Sequence, residues 1–144
     1  MRNATIFVGA FILLIISSCS TYTKTTGAAQ LKGHYWKLVE VNGKSLTDTQ
    51  LSREPFIIFS DVDSRVSGNS SCNHFFGNYT LGADSQVTIS QIGATKMACP
   101  DMSIEQQLFQ LLPKVRSYER NGENLLLKNA DGNTSARFLL GEKK

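Results

Sequence analysis

The chain predicts a mainly β fold, a small antiparallel β-barrel-like or strongly curved sheet of about eight short strands with one α-helix. Three observations carry this. Short β-rich runs are punctuated by Asn42-Gly43, Asn121-Gly122 and Asp131-Gly132, the dipeptides that favour tight hairpins. One apolar stripe has helical spacing. Strands and helices do not alternate as a parallel sheet would require, so the sheet should be antiparallel.

The elements follow in order. Tyr35 to Val41 is β-rich and ends at Asn42-Gly43, where positive φ is available at both positions. Pro55 to Ser60 is a strand apolar on both faces, Arg65 to Gly68 a short one, and Phe75 to Leu81 an aromatic-rich one. Gln86 to Ser90 alternates with period two, which puts Val87 and Ile89 on one face. Ser103-Ile104-Glu105-Gln106 then reads as a capping box. Ile104, Leu108, Leu111, Leu112 and Val115 share one helical face, and Pro113 ends or kinks the helix near Leu112. Ser117 to Arg120, Leu125 to Lys128 and Ala136 to Leu140 close the chain as a three-stranded meander.

Composition fits one domain. The 144 residues are 41 % hydrophobic and 19 % charged, with a net charge of +3. This excludes a disordered tail, a collagen-like repeat and a polytopic membrane protein. Three cysteines are too few for a disulfide-built scaffold. A pI of about 8.8 needs no nucleic-acid partner to explain it.

Residues 1–18 read as a signal peptide, with Arg2 as the basic flank and an apolar run from Ile6 to Ile16 that is too short to span a bilayer. Ile16-Ser17-Ser18-Cys19 resembles the bacterial lipobox, which makes Cys19 the lipidated residue after cleavage. Acyl chains on Cys19 give a membrane anchor, at about 0.8 kcal/mol per buried CH₂. Ser20, not Asp, follows Cys19, which favours outer-membrane sorting in a Gram-negative envelope. Residues 19–30 then form the anchor and a flexible tether, leaving 31–144 as the domain.

Two blocks carry a family resemblance. Gly68-Asn69-Ser70-Ser71-Cys72-Asn73-His74-Phe75-Phe76-Gly77-Asn78-Tyr79 is followed by Gly93-Ala94-Thr95-Lys96-Met97-Ala98-Cys99-Pro100. Together with Trp36-Lys37-Leu38 and Gly122-x-x-Leu125-x-Leu127, they resemble the META domain family, which includes the HslJ heat-shock lipoproteins. The resemblance spans roughly residues 31 to 140. It implies a small antiparallel barrel-like fold with one helix and a link to heat or envelope stress, and it attaches no reaction or cofactor. Where a common family variant has Gly before the first Cys, this chain has Ser71, which sets a side chain against the tight turn expected there.

Within those blocks, Gly68 and Gly77 suit bends or close approaches that a side chain would block. Cys72 and Cys99 most simply form a disulfide in an oxidising envelope; buried free thiols and a redox or metal role are the alternatives. Asn73 suits the satisfaction of turn backbone, and Thr95 a hydrogen bond to neighbouring backbone. Tyr79 and Met97 are expected in or near the core, with a pocket lining as the alternative.

Catalysis is not expected. Cys72-Asn73-His74 lacks an orienting third group. Cys72, His74, Cys99 and His34 match no recurrent zinc spacing. Asp61, Asp63 and Asp84 fit a solvated turn, not a calcium loop. The expectation is therefore a membrane-anchored, non-enzymatic module that binds an envelope protein or a small apolar ligand. The alternatives are a thiol-redox or metal-dependent protein using Cys72 and Cys99, and a purely structural surface lipoprotein.

Overall fold

The computed structural model describes residues 30–142. The predicted signal peptide, Cys19 and most of the tether lie outside the described residues. The strands are β1 (Tyr35–Val41), β2 (Lys44–Ser45), β3 (Phe56–Phe59), β4 (Arg65–Asn69), β5 (His74–Leu81), β6 (Val87–Ala94), β7 (Ser117–Asn121), β8 (Asn124–Lys128) and β9 (Thr134–Gly141). Among the described residues the one α-helix, α1, is Ser103–Leu111.

All nine strands join one antiparallel sheet in the order β6-β5-β4-β3-β1-β9-β8-β7, with β2 paired to β1. The sheet is strongly curved and not closed into a barrel. Its edge strands meet at their starts through an isolated bridge between Gln86 and Ser117. Val87 N–H donates to Arg116 O at 3.0 Å and Tyr118 N–H to Ser85 O at 2.9 Å. The strand added to the eight expected, β2, is two residues long and arises because Asn42 and Gly43 both take positive φ, 49° and 75°, and fold the chain straight back.

Alternation fills the concave face. Trp36, Leu38 and Val41 of β1, Ile57 and Phe59 of β3, Phe75 and Tyr79 of β5, and Leu125, Leu127 and Phe138 opposite them are all buried. A bulge between Leu38 and Glu40 brings Val41 back to the inside. Trp36 is fully buried with its ring N–H donating to Leu31 O at 2.9 Å, and Arg120 lies 5.2 Å from the ring centroid. Helix α1 adds Ile104, Leu108 and Leu111. Pro113 ends the helix as expected: the chain tightens into a 3₁₀ turn over Leu112–Lys114 that still buries Leu112 and leads to buried Val115.

The N-terminus of the helix differs from expectation. Ser103 is the first helical residue, not the cap, and no capping box forms. Met102 holds the cap position without a side-chain bond, and Asp101 Oδ1, one residue earlier, accepts the Ser103 N–H at 2.8 Å and satisfies one free donor of the first turn. Hydrogen bonds from the Ser103 hydroxyl and amide hold the Asp101 carboxyl below its usual range.

Gly68 and Gly77 bear out the close-approach reading. A Cβ on Gly68 would lie 2.1 Å from Phe56 O and 2.7 Å from the Phe75 ring. On Gly77 it would lie 2.9 Å from Ser90 O, across the irregular stretch of the β5–β6 pair. Backbone cannot yield as a flexible side chain does, so Gly68→Ala is expected to cost about 3 kcal/mol, read as a lower urea midpoint at unchanged slope. A wild-type midpoint would remove the steric account.

Tyr35 gives the fold an alkaline limit. Its ring stacks on Phe56 at 4.5 Å and its hydroxyl donates to Glu54 Oε1 at 3.1 Å. Burial, then the Glu54 hydrogen bond and charge, push its pKa up to about 12. An unfolded tyrosine ionises near about 10, so between those values the unfolded chain holds fewer protons. Stability should therefore fall as pH rises from about 10 to about 12. Urea melts stepped through that window should show the fall in the wild type and a smaller one in Tyr35→Phe. Equal falls would remove Tyr35 as the cause.

Candidate functional site

The turn between β4 and β5 is where the family-like block becomes structure. Ser71 takes φ +82°, a left-handed conformation that glycine adopts more easily. Its amide donates to Asn69 Oδ1 at 2.9 Å, and its Oγ accepts the Ser52 N–H at 3.1 Å. These two bonds hold the tight turn that Ser71 must make in place of Gly. The turn buries Ser70, Ser71, Cys72 and Asn73 together.

Asn73 is the hub of that turn. Its Oδ1 accepts the Thr95 hydroxyl at 2.7 Å and the Met97 N–H at 2.7 Å. Its Nδ2 donates to Met97 O at 3.1 Å and to Glu105 Oε1 at 3.0 Å. The Thr95 Oγ1 also accepts the His74 N–H at 3.2 Å. Asn73 thus spends its full amide capacity on clamping segment 95–97 and helix α1 to the turn.

Glu105 completes the network, and sequence reasoning missed it. It is only 7 % exposed, although it lies in the first turn of a surface helix. Its Oε2 accepts the Ser70 hydroxyl at 2.6 Å and the Asn73 N–H at 2.9 Å, and Oε1 takes the Asn73 amide. The Ser70 hydroxyl has one proton, and the short contact gives it to the carboxylate. The Asn73 carbonyl, also 2.9 Å from that hydroxyl, is served by the Ser70 N–H. The positive end of the helix dipole favours an acid at this position.

The disulfide locks the same corner. Cys72 and Cys99 are bonded, with Cα atoms 5.9 Å apart, closing a sequence separation of 27. Disulfide, Asn73 and Glu105 join three elements far apart in sequence: the β4–β5 turn, the segment after β6, and the helix.

Beside this corner runs a groove of about 670 Å³. One wall is the unbroken stretch 90–98, and the other is Met102, Glu105, Phe109 and Pro113, with Asn73 at its base. The larger apolar side chains of the lining are Ile92, Met97, Met102, Phe109 and Pro113. Phe109 packs edge-on to Phe75 at 6.0 Å, which ties the groove wall to the core.

The signature residues therefore divide. Asn73, Thr95 and Met97 meet at the groove. Gly68, Gly77 and Tyr79 belong to the sheet. Tyr79 is core, as expected, 2 % exposed, edge-on to Phe59 at 5.2 Å and donating to Ser60 O at 2.6 Å. Burial, then the charges of Asp63 and Asp61, raise its hydroxyl pKa. Met97 corrects the core expectation: it is 44 % exposed, because Asn73 holds its backbone at the corner and its side chain projects over the groove. Neither alternative cluster is brought together. Cys72 is spent in the disulfide, His74 is exposed, and His34 packs on Trp36. Among the described residues no three metal-ligating side chains gather.

A curved antiparallel sheet, helix α1 and a disulfide-locked groove between β6 and that helix define a small β-domain. The META domain family model matches residues 29–142, and the chain belongs to that family. Among solved structures it is similar to a protein determined by NMR, with 25 % identity and a TM-score of 0.61, covering 78 % of this chain and 92 % of that one. It is also similar to an NMR structure of a protein from Burkholderia xenovorans, at 21 % identity and TM-score 0.62, covering 80 % and 86 %. A duf4847 family protein from Bacteroides vulgatus matches at 14 % identity and TM-score 0.56, covering 79 % and 96 %. The last two likenesses show the shared fold alone. No match is found among the curated proteins.

Proposed function

We propose that this META-domain protein is a lipid-anchored envelope module, non-enzymatic and linked to envelope or heat stress, that binds its ligand in the groove between β6 and α1. The observation that carries the binding reading is the groove itself. It is apolar, of ligand size, and walled by the residues that most strongly carry the family resemblance. Its polar neighbours, Asn73 and Glu105, are hydrogen-bonded to each other and to the surrounding turn, which suits a scaffold rather than a reaction centre. The disulfide, with Cys72 only 1 % exposed, supports a structural use of the thiols. The anchor rests on the lipobox-like Ile16-Ser17-Ser18-Cys19.

Two measurements test this reading. Anilinonaphthalene sulfonate, an apolar probe, should move amide resonances in 90–98 and 102–113 and little else. Shifts scattered over the sheet would remove the groove as the ligand site. Mass spectrometry of the protein purified from membranes should find an acylated Cys19, and Cys19→Ser should release it from the membrane fraction. An unprocessed chain would sink the anchor.

A further inference from the structure

Strand β6 is an edge of the sheet, and the groove runs along it. Its outer side meets β7 only at its start, through the Gln86–Ser117 bridge. Beyond that bridge, among the described residues, no strand pairs with it. Gln91 takes φ +53° at the register shift opposite Gly77, and the strand resumes as Ile92–Ala94. Thr95 N–H donates inward to His74 O at 3.0 Å. By the alternation of an antiparallel ladder, the amides and carbonyls of Ile92 and Ala94 then point away from β5, toward the groove. The opposite wall carries apolar Met102, just before α1, Phe109 of α1, and Pro113 of the 3₁₀ turn that packs on β6.

An unpaired strand edge facing an apolar helix across a groove suits one kind of ligand, a chain with its own backbone to pair. Charge narrows it further. The lining holds two charged side chains, Lys96 and Glu105. Glu105 keeps its charge but is 7 % exposed with both oxygens hydrogen-bonded inside the fold, whereas Lys96 is exposed, so the Lys96 ammonium is the charged group a ligand can reach directly. We infer that the groove takes an extended peptide segment that adds a strand to β6 at Ile92–Ala94, places alternate apolar side chains against Met97, Met102 and Phe109, and sets a carboxylate near Lys96. This rests on the groove being the binding site, and names the ligand class for it.

The test is selection from a displayed library of random ten-residue peptides with free carboxyl termini, using the protein with its disulfide formed. Selected peptides should show apolar residues at alternate positions and an acidic group at one end. Their binding should slow hydrogen exchange at the Ile92 and Ala94 amides. N-methylation at one alternating set of peptide residues should weaken binding by about tenfold or more, and at the other set should not. Ala94→Pro removes an outward amide without touching the β5 ladder, and should weaken binding similarly. Lys96→Glu, at an exposed position, should weaken binding to peptides that carry the carboxylate. Peptides that bind in the groove without protecting those amides, and tolerate methylation at either set, would overturn strand addition. A library that yields nothing while anilinonaphthalene sulfonate still maps to the groove overturns the peptide and leaves the groove as a site. Failure of both probes removes both readings. Concentration-dependent dimers paired through β6 would make a second copy the occupant and overturn the peptide proposal.

Discussion

Glu105→Ala is expected to lower the unfolding free energy by about 3–5 kcal/mol, a large share of the total for a domain of this size. The substitution strips the acceptor from three buried donors at once: the Ser70 hydroxyl, the Asn73 N–H and the Asn73 amide. Each buried donor left without a partner costs about 1–3 kcal/mol. Glu105→Gln should cost less, because its carbonyl can still accept from Asn73, although its NH₂ then opposes the Asn73 N–H. A double-mutant cycle with Asn73→Ala should be strongly non-additive, since the two residues form one network. Urea unfolding reads all of these. Additive losses would mean that Glu105 and Asn73 act separately and that the corner is not a unit.

Breaking the Cys72–Cys99 bond should cost about 3.5 kcal/mol on the chain-entropy model for its 27-residue separation. Reduction and the double Cys→Ser variant should agree, because the sulfurs do no chemistry beyond the link. The loss should also loosen segment 95–98, which the disulfide and Asn73 both hold to the β4–β5 turn. Amide exchange at Met97 should therefore rise more than at Trp36 in the sheet centre. Equal exchange at both positions would show that the bond stabilises the domain without shaping the groove.

Much of the fold was legible because its signals are local. Asn42-Gly43 predicts a tight reversal and makes one, and Pro113 stops the helix where the ring removes a donor. Gly68 predicts a close approach and has Phe56 O against it. What escaped prediction depends on distant partners. In the sequence Glu105 is only an inner residue of a capping-box pattern, off the apolar helical face, and only Ser70 and Asn73, over thirty residues earlier, explain its burial. Alternation predicts a strand that ends at Ser90, but β6 runs on to Ala94, because left-handed Gln91 shifts the register and the strand resumes at Ile92. Met97 reads as core from its type alone, yet its backbone, not its side chain, is what the structure holds.

Strand β1, the first, lies in the middle of the sheet, between β3 and β9, the last. Tyr35 faces Gly141 and Trp36 faces Leu140, so each of these pairs joins residues near the two ends of the domain. During synthesis, β1 emerges early and waits for nearly the whole chain before one of its two flanks is covered. Its apolar residues, Trp36 and Leu38 among them, remain at risk of wrong pairing throughout that interval. A chain cut short before β9 loses a partner at the centre of the sheet rather than at its rim. Assembly of this domain is therefore an end-to-end event, gated by the arrival of its last strand.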